Sequence, residues 1–484
     1  TWDGCTSLTA QSVENILTSI DASGQHGTDD GTSTGNPLGD SGIDIDYNGT
    51  TLSAATNAAI DSLSGKGWEV FINGVLVIPN ILDLAPAAAY SLRSFDADAD
   101  PNVVNVRRSS DGATSDFTAS EVSDGTLTDW VNTEYNRYTS DFSASANGWS
   151  SDGGNSYDFN QSIAGVTEAL KITNVSNNYG YQVVGAVNGL AYSFTAKVYI
   201  PSSNTSLNAL KFRFGYVPAN EWMTESINTL DQWVTVTVNS YTNPATSGAE
   251  KLYWYHDSSA TSGDVFYLKD VQVTQLTADG HVTTWYDQSI GGTNHATQST
   301  ASSQPKIVDG GTLVTENGKA ALDFDGVNNY LELANGSISL PCSTFVTQKL
   351  DSVINSAYTF GIQQSGNNGG YVLRTNGYQV IDAASPFPSI TLSGASDTDE
   401  HLIYVSAING GKISGAVDGG TLEQSTDDIT GWTSAAYATT IGRRPDQASL
   451  YLNGKLKEII HFNTDQSANR TGIEAEIMDT YSIS

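Results

Sequence analysis

Residues 283–298, T-T-W-Y-D-Q-S-I-G-G-T-N-H-A-T-Q, read as an aromatic strand running into a polar turn, and the stretch that would partner it lies far upstream, at 88–116. The upstream stretch holds a strand at 103–107, a polar turn at Asp111 and Gly112, and a short closing element in G-T-L-T-D-W-V. Nothing then completes a core until Gly280. One β-sandwich whose two halves are parted by a guest module satisfies that layout.

A chain of 484 residues is too long for one ordinary core and implies about three domains. Charged residues make up only 15% while Gly numbers 46 and Tyr 23, so Ser, Thr and Asn on strand faces must supply solubility, which favours sheet over helix bundle. A net charge of -32 repels phosphate backbones and anionic lipid, which excludes nucleic acid as a partner class. Colloidal stability in a salty medium accounts for such acidity, with scattered calcium sites as the other reading. Cys5 and Cys342 fall in separate segments, so neither a disulfide framework nor a thiolate metal site is indicated. No run approaches the roughly 18 apolar residues of a membrane span. No basic-then-apolar signal opens the sequence, which would suit a virion protein made in a host cytoplasm.

Val13, Ile16, Leu17 and Ile20 recur at helical spacing after Thr9, and Gly24 follows as a stop. A strand at 43–47, a helix capped by Ser53 that carries Ala59, Ile60 and Leu63 and ends at Gly65, and a strand at 68–72 come next. The strand-to-strand interval of about 26 residues is that of a leucine-rich repeat, so residues 1–80 are expected to form an α/β cap or docking segment. Within 138–276, alternating runs at 192–200, 210–216, 233–238, 252–255 and 265–273 are separated by Ser, Asn and Gly clusters, the pattern of an inserted antiparallel jelly roll. After the insertion, strand–turn–strand units continue to a short helix at 469–481, and residues 81–137 plus 277–484 make up the split sandwich. The expected fold is thus mainly β: two antiparallel β-sandwich (jelly-roll) domains, one inserted in the other, plus a small α/β repeat-like N-terminal segment.

Several residues have the chemistry to hold a sugar. Trp285 and Tyr286 are adjacent in a strand, so one ring points into the sandwich and only the other can stack on a saccharide. Asp287, Gln288, Asn294 and His295 could bond hydroxyls, or Asp287 and Gln288 could pin the turn to Arg107 or Arg108. In the insertion, Leu252 and Trp254 oppose Tyr253 and Tyr255, which makes an aromatic pair on one face, with Tyr179, Tyr181 and Trp222 as further candidates or as core. Asp270 is the single metal-ligand candidate, for calcium, and no other cofactor is indicated. Asp323 and Asp325 alternate about Phe324, and the solvent-facing, turn-starting reading is preferred to catalysis. Glu474 and Glu476 read as a solvated helix face. Nucleotide, zinc and serine-hydrolase motifs are absent from the sequence.

Four resemblances follow from these motifs. C-T-S-L-T-A-Q-S-V-E-N-I-L and S-A-A-T-N-A-A-I-D-S-L-S-G-K-G-W resemble the last turns of leucine-rich-repeat-like surface proteins. D-F-S-A-S-A-N-G-W and V-F-Y-L-K-D-V-Q-V resemble the jelly-roll carbohydrate-binding modules of bacterial glycan-active proteins. Residues 321–484 resemble a concanavalin A-like (laminin-G-like) sandwich. A-A-Y-S-L-R, V-R-R-S-S-D-G-A-T-S-D, W-Y-D-Q-S and N-H-A-T-Q resemble the catalytic sandwich of family 54 α-L-arabinofuranosidases. That last family implies a nucleophile and an acid, both carboxylates. The corresponding neighbourhood here, 358–371, reads Y-T-F-G-I-Q-Q-S-G-N-N-G-G-Y and has neither carboxylate nor cysteine, so no catalytic residue is assigned. The order of modules is similar to phage fibre tips and bacterial adhesins, which implies a virion-surface or extracellular protein that binds host glycans. The fibre analogy implies a trimer among other virion subunits. An arabinofuranosidase-like hydrolase and a purely structural virion or filament protein are the alternatives.

Overall fold

A computed structural model describes residues 8–23, 42–45, 56, 59–60, 63, 69–72 and 75–76, and 81–483 except 97–98, 151–153, 175–178, 216–221, 245–249, 257–260, 338, 353–356, 364–369, 375–376, 382–387, 396, 431–435 and 446–447. Cys5, Gly24, Tyr47, Ser53, Gly65 and Trp68 lie outside these residues. In the N-terminal segment, helix α1 (Ala10–Ala22) begins where the Thr9 hydroxyl accepts the Ser12 amide. Its period-3.6 face places Val13 and Leu17 at 0% exposure against Ile43, Ile45, Ala59, Ile60, Leu63 and Val70. Strand β1 (Gly42–Ile45) runs parallel to β2 (Glu69–Ile72), with Gly42 opposite Glu69, and β3 (Val75–Leu76) turns back antiparallel on β2. Among the described residues no helix is long and apolar enough to cross a membrane.

Strands before residue 135 pair with strands after residue 275. The upstream part supplies β4 (Ala88–Ser91), β5 (Asn102–Arg108) and β6 (Thr114–Thr118), followed by the short helices α2 (Ala119–Ser123) and α3 (Thr126–Val131). Thr118 and Glu121 close a reciprocal capping box at the start of α2.

The guest region is built of β7 (Tyr135–Thr139), β8 (Ser156–Ile163), β9 (Val166–Thr173), β10 (Tyr179–Val183), β11 (Ala191–Tyr199), β12 (Leu210–Phe214), β13 (Trp233–Thr242), β14 (Lys251–His256) and β15 (Val265–Gln275). They form two sheets, β13-β11-β15-β9-β8 with β7 beside β15, and β10-β14-β12. Between them lie Leu170, Tyr192, Phe194, Phe212, Trp254 and Phe266, with the Phe194 and Phe212 rings 4.9 Å apart and Trp254 edge-on to Phe266 at 4.7 Å. The first and last strands pair, Tyr135 opposite Gln275, so the chain enters and leaves this unit side by side. That geometry lets a module be accommodated in a host loop with little displacement of the host. Strands β8, β9 and β10 were not legible as alternating runs.

Downstream, β16 (Gly280–Trp285) pairs antiparallel with β5, Gly280 opposite Arg108 and Trp285 opposite Val104. A Cβ on Gly280 would meet Val131, Val106 and Val308 at 3.1–3.2 Å, so a larger residue here would need these valines to shift by a few tenths of an ångström. Strand β4 pairs with Asn453–Phe462, Ser91 opposite Glu458. The upstream segment is therefore held on both flanks by chain from beyond residue 275. Cys342–Leu350 lies between Glu400–Ala407 and Asn453–Phe462, and helix α4 (Arg470–Tyr481) covers one face of that sheet. Phe345, Tyr404, Ile460 and Phe462 turn toward α4, while Val346, Ile403 and Ile459 turn into the sandwich with Trp285 and Phe324. Burial on both faces takes in polar as well as apolar residues of these strands, Thr344, Gln348, Lys457 and Glu458 among them.

His401, on the strand Glu400–Ala407, lies between two carboxylates: Nδ1 is 2.7 Å from Asp418 and Nε2 is 2.8 Å from Asp397. The Asp418 bond, opposed by burial and aided by Asp397, raises its pKa from 6.5 to about 9. A group whose folded pKa is raised adds stability that is fully present below about pH 6.5 and is lost as pH rises through about 9. A shift of this size would correspond to about 3 kcal/mol, and exposure of Asp397 together with screening reduces that to about 1 kcal/mol. Melting of the sandwich should accordingly fall across this alkaline interval in the parent and stay flat in His401→Asn. An equal alkaline fall in both proteins would remove His401 as the cause.

Candidate functional site

Strand β14 carries L-Y-W-Y, and strand alternation sends Leu252 and Trp254 into the core at 0% exposure and Tyr253 and Tyr255 to the other face. Neighbours in register share that face. Tyr179 and Tyr181 on β10 oppose Tyr255 and Tyr253, and Lys211 and Arg213 on β12 oppose the same two residues from the other side. Gly180, between the two β10 tyrosines, faces inward. A Cβ there would sit 2.6 Å from Nε1 of Trp254 and 2.5 Å from the Tyr157 hydroxyl, so glycine lets the indole pack flush beneath the platform.

The rings form a continuous surface. Tyr179 and Tyr255 stack at 5.5 Å and 28°, Tyr181 and Tyr253 lie 5.5 Å apart, and Tyr253 and Tyr255 lie 5.8 Å apart. Trp222 stands edge-on to Tyr255 at 5.3 Å, held beside β12 where the Met223 amide donates to the Phe212 carbonyl. The Arg213 guanidinium lies over both Tyr255, at 4.2 Å, and Trp222, at 4.8 Å. Lys211 is 5.2 Å from the Trp222 ring, and Lys251 is 4.2 Å from Tyr181. Sequence reasoning named the five rings but missed Lys211, Arg213 and Lys251. The available signal was L-K-F-R-F, in which Phe212 and Phe214 go to the core and the cations to the tyrosine face.

The second expected site, at 285–295, is occupied by its own structure. Trp285 is 0% exposed, with its ring 5.7 Å from Tyr90, so it is core and is withdrawn from glycan contact. Tyr286 points the other way, and its hydroxyl donates to Asp116 at 2.7 Å. Burial, then that carboxylate, pushes its pKa up to about 12. The Asp287 carboxylate accepts backbone amides of Ala89, Ser289 and Asn294, at 3.0, 3.0 and 3.3 Å. The Gln288 amide donates to the carbonyls of Ser91 and Arg93 at 3.0 Å and accepts the Phe95 amide. His295 accepts the Asp287 amide at Nδ1 and meets Tyr286 edge-on at 4.9 Å, and the Asn294 carbonyl accepts the Tyr90 hydroxyl. The turn is indeed pinned, but to β4 and the chain after it rather than to Arg107 or Arg108. Arg107 donates to Gln304 and the Ala301 carbonyl, and Arg108 donates to Asp111 and the Trp130 carbonyl. The alignment of β4 against the turn, which local pattern does not encode, decides this.

Asp270 is ion-paired with Lys197 at 2.7 Å, and among the described residues no group of three His, Cys, Asp or Glu is placed to hold a metal ion. Asp325 starts a turn by accepting the amides of Val327, Asn328 and Asn329, and Asp323 is half-buried beside the core residues Leu322 and Phe324. Glu474 and Glu476 require a correction, because they are not a solvated face. Glu474 is 2% exposed and accepts from Arg470, and Glu476 accepts from Arg93, which also forks onto Glu458. Docking of α4 on the sheet draws both carboxylates against these guanidinium groups. Glu458 itself is 1% exposed, sealed by Arg93 and the Tyr481 hydroxyl, and has no access to a substrate.

The fold and site together define a mainly β protein of antiparallel sandwiches with a small α/β segment, which bears on one sheet an aromatic face where Tyr253 is 5% exposed and Tyr179, Tyr181, Tyr255 and Trp222 are half-buried. No protein-family model matches the sequence, and no curated protein is significantly similar to it. Among solved structures, the CBM22-1 xylan-binding domain of Paenibacillus barcinonensis Xyn10C is similar at 15% identity, covering 30% of this chain and 98% of that one, with a TM-score of 0.25. A xylan-binding domain of family CBM 22 is similar at 18% identity, covering 29% of this chain and 94% of that one, with a TM-score of 0.24. A Trypanosoma rangeli sialidase is similar at 11% identity, covering 42% of this chain and 32% of that one, with a TM-score of 0.29.

Proposed function

We propose that the protein binds glycans, and that the saccharide rests on the face formed by Tyr179, Tyr181, Tyr253, Tyr255 and Trp222. The observation that carries this is four tyrosines in register on neighbouring strands, stacked and turned away from a core that the intervening residues already fill. Pyranose C–H faces pack on such rings, while adjacent Lys donors reach hydroxyl oxygens. The unit at 138–276 would then be the binding module, nested in a sandwich of 81–137 plus 277–484 that acts as scaffold, with 1–80 as a docking segment. Display on a virion or cell surface, as a trimeric fibre or adhesin component, is the setting we propose for it. The deeply acidic net charge suits such exposure.

Affinity electrophoresis and a glycan array test the reading. Tyr179→Ala combined with Tyr255→Ala should weaken binding by about tenfold or more, since each ring contact contributes about 1 kcal/mol. The far-ultraviolet spectrum should stay unchanged, because both rings lie outside the core. Undiminished retention of the double variant on a glycan that retains the parent would sink this assignment.

A further inference from the structure

Resting on that reading, we propose that the saccharide is acidic, a glycan bearing carboxylate groups. The chain has 21 Lys and Arg against 53 Asp and Glu, yet three of the 21 converge on this single face. Lys211 and Arg213 follow each other along the outward side of β12, roughly 7 Å apart by strand rise. Lys251 stands at the start of β14, beside Tyr181. The three cations therefore bracket the tyrosines from two sides.

Each cation lies against an aromatic ring. Arg213 is 4% exposed between Tyr255 and Trp222, where it fixes both rings and makes the surface over them more positive. Lys211 and Lys251 are half-buried, with ammonium groups at 5.2 and 4.2 Å from ring centres. The ammonium nitrogens themselves lie over the rings, so the positive charge sits on the aromatic face. A polyuronate stacked on the tyrosines would bring its carboxylates to that charge.

The rest of the molecule makes the inference demanding. A net charge of -32 repels a polyanion at long range, so indiscriminate adsorption is disfavoured and any retention must arise at a local positive site. Neutral glycans feel neither effect.

The test compares polygalacturonate and alginate with neutral xylan and amylose in affinity gels of the full chain, at low and at moderate salt. Polyuronate retention should exceed that of the neutral glycans and fall about tenfold as salt rises. Lys211→Met with Lys251→Met should abolish the polyuronate retention, whereas Lys211→Arg with Lys251→Arg should keep it. Retention that favours a neutral glycan and ignores salt overturns the acidic ligand while leaving the platform standing. Retention by neither class overturns both. Persistence of salt-sensitive polyuronate binding in the double Met variant overturns the assignment to these lysines.

Discussion

Trp285→Ala should destabilise the split sandwich by about 3–5 kcal/mol, the range for emptying a fully buried indole site. Trp285 is 0% exposed, opposes Val104 across the seam and packs on Tyr90, so it lies against two of the three upstream strands, β5 by register and β4 by ring contact. The cavity would open where β16 grips β5, and the upstream segment should become the first part of the protein to be cleaved. Limited proteolysis together with urea denaturation checks this. Cuts should appear near 92–131 in the variant and not in the parent. Trp285→Phe, which keeps most of the volume, should lose less than half as much. A change below about 1 kcal/mol for the alanine variant would mean that the seam is held elsewhere.

Glu458→Ala is the second large effect, about 3 kcal/mol or more, by removal of one partner from a buried ion pair. The carboxylate is 1% exposed and receives Nε and Nη2 of Arg93 at 2.8 and 3.1 Å and the Tyr481 hydroxyl at 2.8 Å. These come from the chain after β4, from the last strand and from α4, so one carboxylate ties three distant segments. Deleting it leaves the guanidinium with Glu476 as its carboxylate partner among the described residues. The diagnostic comparison is the double variant Glu458→Met with Arg93→Met. If the pair matters through mutual compensation, the double variant should be more stable than Glu458→Ala alone, because the guanidinium leaves with its partner and the carboxylate left behind, Glu476, is 34% exposed to water. Equal or greater loss in the double variant would assign the effect to packing. The Glu458→Gln variant should fall between parent and alanine, since an amide oxygen still accepts from Arg93.

How legible each feature was depended on the range of the interaction behind it. The outward turn of Tyr253 and Tyr255 followed from L-Y-W-Y, because a strand's period of two is a property of consecutive residues. The partnership of 88–116 with 283–298 was visible because both stretches carried matching strand and turn signals. The burial of Glu474 and Glu476 was not visible, since an amphipathic helix pattern does not say which polar residues its docking will trap. Nor was it visible that Asp287 would accept amides from Ala89 and its own turn rather than meet Arg107.

For the candidate site the division is sharpest at β12. Alternation alone sends Lys211 and Arg213 to one face of their strand, and the compositional excess of acid makes every cation conspicuous. Placing those cations beside Tyr253 and Tyr255, with Tyr179 and Tyr181 beyond, required the registers of β10 and β12 on β14. Local periodicity determines which side chains share a strand face, because it arises from the geometry of adjacent peptides. Register between strands far apart in the sequence is set by how Trp254, Phe212 and Phe266 fill one core, and a shift of one residue would turn the tyrosines inward. That choice belongs to the packed sandwich.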